Sequence, residues 1–153
     1  MLNQTSEHAI RAVLYLAQQA PGEPVPADRI AQALGAPANY LGKTLRQLAR
    51  RGLLASTRGA AGGFRLLRRP GEIALADVVE AVSDGPRPRA TCLLGNRPCL
   101  AARPCAAHAR WSTVQDDLWS PLRRTTLADL LEPSAQFDAE PVSAVIHRAA
   151  AAA

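Results

Sequence analysis

Two short apolar stripes of helical spacing, set on either side of one glycine, limit this chain more than any other feature. In ADRIAQALGAPANYLGKTLRQLARRG, Ile30, Ala31 and Leu34 repeat at the helical period over roughly Ala27 to Leu34. Tyr40, Leu41, Leu45 and Leu48 form a second stripe in a helix that opens at Pro37 and runs to about Arg51. Gly35 permits a sharp turn between the two, Pro37 suits a first helical turn, and Gly52 supplies the stop. Two short helices joined by a tight glycine-containing turn make a helix-turn-helix pattern.

The flanks extend that pattern. Thr5 and Ser6 are expected to cap a helix entering EHAIRAVLYLAQQA, where Ala9, Val13, Leu16 and Ala20 line one face with Ile10, Leu14 and Ala17 beside them. The prolines of PGEPVP end it. After Gly52, LLAS and FRLL read as two short strands around TRGAAGG, a glycine-rich β-wing that carries Arg58 and is followed by Arg65. Helix, turn, helix and wing in that order predict a winged helix, mainly α with a small β element. Aromatic residues make up only 4% of the chain, so its core must be built of Leu, Ala, Val and Ile, which suits helices.

Charge is concentrated on this unit. Between Arg29 and Gly71 lie nine of the 18 basic residues and none of the 13 acidic ones. Such a segment is the footprint of a polyanion partner, against the blander alternative of a solvated basic face. With the apolar stripe turned inward, Asn39, Gly42, Lys43, Arg46, Gln47 and Arg50 are expected to face out, donors without a carboxylate. The expected partner is double-stranded DNA, with Asn39, Tyr40, Lys43, Arg46, Gln47, Arg50, Arg51, Arg58 and Arg65 as its binding set. Arg50, Arg51, Arg65 and Arg68 would contact phosphates, while Asn39, Lys43 and Gln47 would meet base edges in the major groove.

Beyond the wing, IALADVVEAVSDG reads as another helix with Val78, Val79 and Val82 inward, and PRPRA as a link. From His108 to Leu131 helical spacing resumes, and Trp111, Val114, Leu118 and Leu122 form a stripe too apolar to leave in water. It must fold back on the body or meet a symmetry mate. Because helix-turn-helix sites are two-fold, a homodimer on a pseudo-palindromic operator is expected. Pro121 predicts a kink or break near Leu118. The organisation expected is a DNA-binding domain over 1–84, a cysteine loop over 85–106, a dimerisation helix over 107–132 and a loose tail over 133–153. No apolar run reaches the about 18 residues of a membrane span, and MLNQTSEHAIRAV lacks the layout of a signal peptide, so a cytoplasmic protein is expected.

All three cysteines fall in TCLLGNRPCLAARPCAAHARW, as Cys92, Cys99 and Cys105. In a reducing compartment such a cluster serves metal or redox chemistry more readily than a structural disulfide. Thiolates are soft ligands that suit an iron–sulfur cluster, zinc or copper(I), and the C-x6-C-x5-C spacing is looser than that of a compact zinc ribbon. Three thiolates leave a fourth ligand to be found elsewhere. A regulatory disulfide or a zinc site are the alternatives. An enzyme with a cysteine nucleophile is disfavoured, because no partner pattern of His with Asn or Asp accompanies the thiols and the basic segment would have no purpose.

The order of these parts resembles the bacterial regulator family of IscR and NsrR, from about residue 1 to 132. The likeness is carried by SEHAIRAVLYLA, by NYLGKTLRQLARRGLLASTRGAAGGF, by the cysteine segment and by TTLADLL. It implies a dimeric transcription factor whose cysteines hold an iron–sulfur cluster. CAAHARW resembles the IscR arrangement, in which a histidine, here His108, completes a two-iron two-sulfur cluster. Glu7 matches the position from which NsrR-type members offer a carboxylate of the partner subunit to a four-iron four-sulfur cluster. His8, a lone histidine near a helix start, is a distant third and expected at the surface. The gap between Cys92 and Cys99 is one residue longer than the five-residue gap of IscR, which leaves the cluster type open. The resemblance also places Asn39 and Gly42 where the family tunes its choice of site, and Arg58 where it inserts an arginine into the minor groove.

Overall fold

The computed structural model describes residues 3–59, 61–83, 91–93, 95–98 and 104–131. Helix α1 spans Gln4–Ala17, α2 Ala27–Leu34 and α3 Ala38–Arg50. Its first cap differs from expectation. Asn3, not Thr5 or Ser6, caps α1, accepting the Ser6 N–H and the Ser6 hydroxyl on Oδ1 at 2.9 Å each. Asn caps at least as well as Ser, and Ser6 is drawn into the buried face, where its hydroxyl is already committed. Between α2 and α3, Gly35 takes φ 61°, the left-handed conformation for which glycine carries no steric cost. The Ala36 N–H then returns to the Ala31 carbonyl at 3.0 Å, which closes the turn.

The core follows the apolar stripes. Leu41, Leu45 and Leu48 of α3 meet Ile30 and Leu34 of α2 and Ala9, Val13 and Leu16 of α1, all buried. Tyr40, counted with that stripe in sequence, lies at its margin and is half-buried. Strands β1 (Leu54–Thr57) and β2 (Gly63–Leu66) pair antiparallel, Leu54 opposite Leu66. Each is displaced by one residue from LLAS and FRLL, because Leu53 turns into the core and its carbonyl takes the Leu67 N–H at 3.1 Å. A 3-10 turn at Pro70–Glu72 leads into α4, Leu75–Val82, whose Val78, Val79 and Val82 are buried as expected.

The segment expected to be a loop holds a small hairpin, β3 (Thr91–Cys92) against β4 (Gly95–Pro98). Then come α5, His108–Arg124, and α6, Leu127–Leu131. Pro121 does not break α5 near Leu118. It forfeits one bond to the preceding turn, but it stands within a turn of the helix end, and its own carbonyl receives the Thr125 N–H at 2.9 Å. The interruption comes at Thr125 and Thr126. There Thr125 O accepts the Leu75 N–H at 2.9 Å and the Leu127 N–H reaches Ile73 O at 3.0 Å, stitching the chain to the head of α4. Leu127 is fully buried in the same core as α1 to α3.

The face α5 turns inward also differs from expectation. Trp119 and Gln115 are its buried residues, and Trp119 packs with Ala76 and Val79 of α4, beside Ile10 and Leu122. Of the expected stripe, only Leu122 joins that contact. Val114 is 55% and Leu118 41% exposed. One residue of helix is a rotation of about 100°, so choosing Trp119 over Leu118 turns the stripe away from the body. The tail expected over 133–153 and the PRPRA link at 86–90 lie outside the described residues.

Candidate nucleic-acid interface and cysteine segment

Burial of Leu41, Leu45 and Leu48 presents the opposite side of α3 to solvent. Asn39, Lys43, Arg46 and Arg50, spaced by four, three and four residues, are all exposed, with Gln47 half-exposed beside them. Gly42, expected on this face, is buried instead. The Arg46 guanidinium covers it, and a Cβ built there would lie 3.8 Å from each terminal nitrogen. The space at the second turn of α3 is therefore occupied by an arginine one turn further on.

No acid among the described residues pairs with this charge. Among the described residues the ion pairs are Arg68 with Asp77 at 3.9 Å and Arg69 with Glu72 at 3.7 Å, both outside α3 and the wing loop. Lys43, Arg46, Arg50, Arg51, Arg58 and Arg65 make none among them. Arg68, expected on phosphate, is tied at the wing base to Asp77 and donates to Glu72 O at 3.4 Å. An exposed pair of that kind is weak and gives way readily to another anion. Arg51 is exposed directly after α3, and Arg58 is exposed where the wing loop leaves β1. Arg65 on β2 is half-buried.

Besides the packing of Leu54, Phe64 and Leu66 on the core, a backbone pair fixes the wing to the body. Val25, in the link between α1 and α2, pairs with Phe64 of β2 and so forms a third position beside the two strands. That approach demands glycine next door, since a Cβ on Gly63 would stand 2.3 Å from the Val25 carbonyl oxygen.

At the other end, the first turn of α1 touches the first turn of α3. Tyr40 and Thr5 share a hydroxyl–hydroxyl hydrogen bond of 2.5 Å. His8, expected at the surface, is only 6% exposed, because it lies beneath Tyr40 with ring centroids 5.6 Å apart and planes at 73°. Its Nδ1 donates to Gln4 O at 2.8 Å; a carbonyl only accepts, so Nδ1 carries the proton. Glu7 is half-buried in the same turn.

In the cysteine segment, the His108 N–H donates to Cys105 O at 2.9 Å. That bond closes a four-residue turn and brings the two residues together at the start of α5, both half-buried. The Cys92 backbone pairs with Gly95 in the β3–β4 hairpin. Cys99 lies outside the described residues, and among those described no group of three or more His, Cys, Asp or Glu is gathered for a metal ion. A recess of about 500 Å³ lined by Leu93, Ala106, Arg110, Trp111 and Val114 adjoins the turn. The hairpin, Trp119 and the Thr5–Tyr40 bond had no signal in sequence beyond the residue types themselves.

Residues 2–133 match the Rrf2 family, described as an iron-dependent transcriptional regulator. Over 137 residues, 90% of this chain and 83% of the relative, the sequence is 31% identical to the HTH-type transcriptional regulator IscR of Cronobacter sakazakii. The fold is similar to that of T. potens IscR, with a TM-score of 0.71 and 26% identity over 90% of this chain and 91% of that one. It is also similar to CymR, the global cysteine regulator of B. subtilis, with a TM-score of 0.69 and 25% identity over 85% of this chain and 95% of that one.

Proposed function

Since this chain belongs to the Rrf2 family of transcriptional regulators, we propose that it binds a two-fold operator in double-stranded DNA as a homodimer, under the control of an iron–sulfur cluster. Its relatives are regulators rather than enzymes. The observation that carries the reading is the exposed, acid-free face of α3, continued by Arg51 and by Arg58 on the wing. Lys43, Arg46, Arg50 and Arg51 keep their full charge for phosphates, and each such contact releases a counterion from the duplex. Asn39 and Lys43, on the early turns of α3, are placed for base edges in the major groove, with Gln47 behind them. Arg58, exposed where the wing loop leaves β1, would enter the minor groove.

Dimerisation is supported by the exposed apolar residues of α5. Trp119 satisfies the chain's own body, which leaves Val114 and Leu118 for a second copy. Half-sites on one face of B-DNA are about 34 Å apart, so two α3 helices must be held at a fixed separation to dock together. The protein acts in the cytoplasm, where its DNA lies, and no helix among the described residues is long and apolar enough to cross a membrane.

The donor set suits a cluster as far as it is described. Cys105 and His108 stand side by side at one turn, a soft thiolate and a borderline imidazole. Cys92, Cys99 and Cys105 with His108 would hold a two-iron two-sulfur cluster, and Glu7 of a partner subunit would replace His108 for a four-iron four-sulfur one. A bound cluster supplies a one-electron redox centre whose potential is set by its ligands and nearby charge. Arg110, exposed on the first turn of α5, offsets the negative charge of thiolate ligands. Holding Cys105 and His108 together fixes the start of α5, and α5 carries the face offered to the partner. A cluster would join this turn to Cys92 and Cys99, and in this reading its gain or loss would change how α5 is held and so the separation of the two reading helices.

Parallel footprinting with cluster-loaded and cluster-free protein, purified without oxygen, tests the reading. Protection that differs between the two forms, with iron and acid-labile sulfide in the first, is expected. Colourless protein holding zinc, or identical footprints after removal of all three thiols, defeats the switch while leaving a DNA-binding protein.

A further inference from the structure

We propose that Tyr40 is a positioning residue: it holds the first turn of α3 at a set angle to the first turn of α1, and does not itself read DNA. The inference rests on the DNA-binding function proposed above. Its observation is the contact between two residues 35 apart in sequence, the Tyr40 hydroxyl bonded to Thr5 Oγ1 and the Tyr40 ring standing edge-on to His8. The receiving surface is itself fixed. Asn3 takes both Ser6 donors, and the buried His8 ring is oriented by its bond to Gln4 O at 2.8 Å.

Among the described residues α3 has no other side-chain hydrogen bond tying its first turn to α1 or α2. Pro37, its N-cap, offers no side-chain bond, and its first turn has no acidic residue to meet the exposed N–H groups. The buried stripe begins only at Leu41, and Ala38 and Asn39 are both exposed. Tyr40 is thus the side chain that bonds the Ala38–Tyr40 turn to the first turn of α1. It precedes Lys43 by three positions and follows Asn39 directly, so any rocking of this turn moves both base-facing side chains. A reading helix that spends only a fraction of its time in the docking orientation loses affinity by that fraction.

The test uses the full chain and a duplex that the wild-type protein selects from a random-sequence pool. Thr5→Val and Tyr40→Phe each remove the bond from one side, and only Tyr40 is near the DNA face. Each is expected to weaken binding about fivefold, the scale of one hydrogen bond. The double variant should be no weaker than either single one, Thr5→Ser should keep wild-type affinity, and the salt slope should not change. Four results overturn the proposal. Tyr40→Phe weakens binding while Thr5→Val does not, so the hydroxyl acts on DNA. Losses multiply to about 25-fold in the double variant, so the two residues act independently. Both variants melt earlier yet bind as before, so the contact is structural only. Or neither changes binding at all. A pool in which wild-type protein enriches no sequence defeats the DNA-binding function instead.

Discussion

Val25 and Phe64 exchange both of their backbone hydrogen bonds, the Val25 N–H to Phe64 O at 2.9 Å and the Phe64 N–H to Val25 O at 2.8 Å. This reciprocal pair anchors the wing to the link between α1 and α2, and so sets where Arg58 stands relative to α3. It also brings the Val25 carbonyl to a place that no side chain on Gly63 tolerates. Backbone, not a pliant side chain, blocks the space. Gly63→Ala is therefore expected to cost about 2–3 kcal/mol in urea unfolding, at the upper end of ordinary substitutions. Wild-type stability in that variant would mean that the Val25–Phe64 pair is not held in solution.

The two faces of α5 give opposite outcomes. Trp119 is 4% exposed against Ala76 and Val79, so Trp119→Ala should destabilise the fold by about 3 kcal/mol. Val114, more than half exposed, should tolerate Val114→Asp within about 0.5 kcal/mol in the monomer. The same change places a charge in the proposed dimer contact and should shift sedimentation from dimer to monomer. A Val114→Asp protein that sediments as wild type removes this face from the assembly.

How much of this was legible in advance depended on what each feature needs. The buried stripe of α3 needs only the helical period, and Leu41, Leu45 and Leu48 all lie in the core where that period puts them. So too for Val78, Val79 and Val82. Gly35 was legible because a left-handed turn favours one residue type. Where two apolar residues are adjacent, periodicity cannot choose between them. Leu118 and Trp119 were such a pair, and the larger residue went inside. Pro121 does not kink α5 near Leu118 because a proline's cost depends on its distance from the helix end, which sequence does not give. Gly42 was expected outside because its position on the helix wheel faces out, but a glycine is covered by whatever its neighbours reach across, here Arg46. The Thr5–Tyr40 bond is tertiary and no local pattern announces it.

Salt dependence separates the two kinds of contact on the interface. Replacing Arg50 or Arg51 by Ala should lower the slope of log affinity against log salt by about 0.9 and weaken all sequences alike. Lys43→Ala should instead relax the choice at one position of the site, at about 1–3 kcal/mol there. Equilibrium binding to the selected duplex and to single-base variants at several salt concentrations measures both. Equal loss on every sequence for Lys43→Ala would return that residue to the phosphates.

The cap of α6 predicts a pH effect of known sign. Asp129 Oδ2 accepts the Thr126 N–H at 2.7 Å and the Thr126 hydroxyl at 2.8 Å, and the backbone bond first, then the hydroxyl, lowers its pKa below the usual carboxylate value. A carboxyl depressed in the folded state adds stability that is present above its unfolded pKa and lost as pH falls through the folded one. Asp129→Ala should therefore melt slightly earlier than wild type at neutral pH. That gap should close only in acid, below the ordinary carboxylate range. A gap that persists unchanged there would trace the loss to packing around Leu127 and not to the charge.

The turn joining Cys105 to His108 makes the sharpest demand on the cofactor reading. With the His108 N–H bonded to Cys105 O, the two side chains are held one turn apart at the head of α5. If both ligate one cluster, Cys105→Ala should abolish iron and visible absorption in protein isolated without oxygen, while circular dichroism stays that of a helical fold. His108→Ala should keep part of the iron with an altered spectrum, since a fourth ligand can be replaced by solvent. If His108→Ala leaves the spectrum untouched and Glu7→Gln alters it, the fourth ligand is the carboxylate, as the four-iron reading requires. If neither variant alters a fully loaded cluster, the ligand set proposed for this segment is wrong.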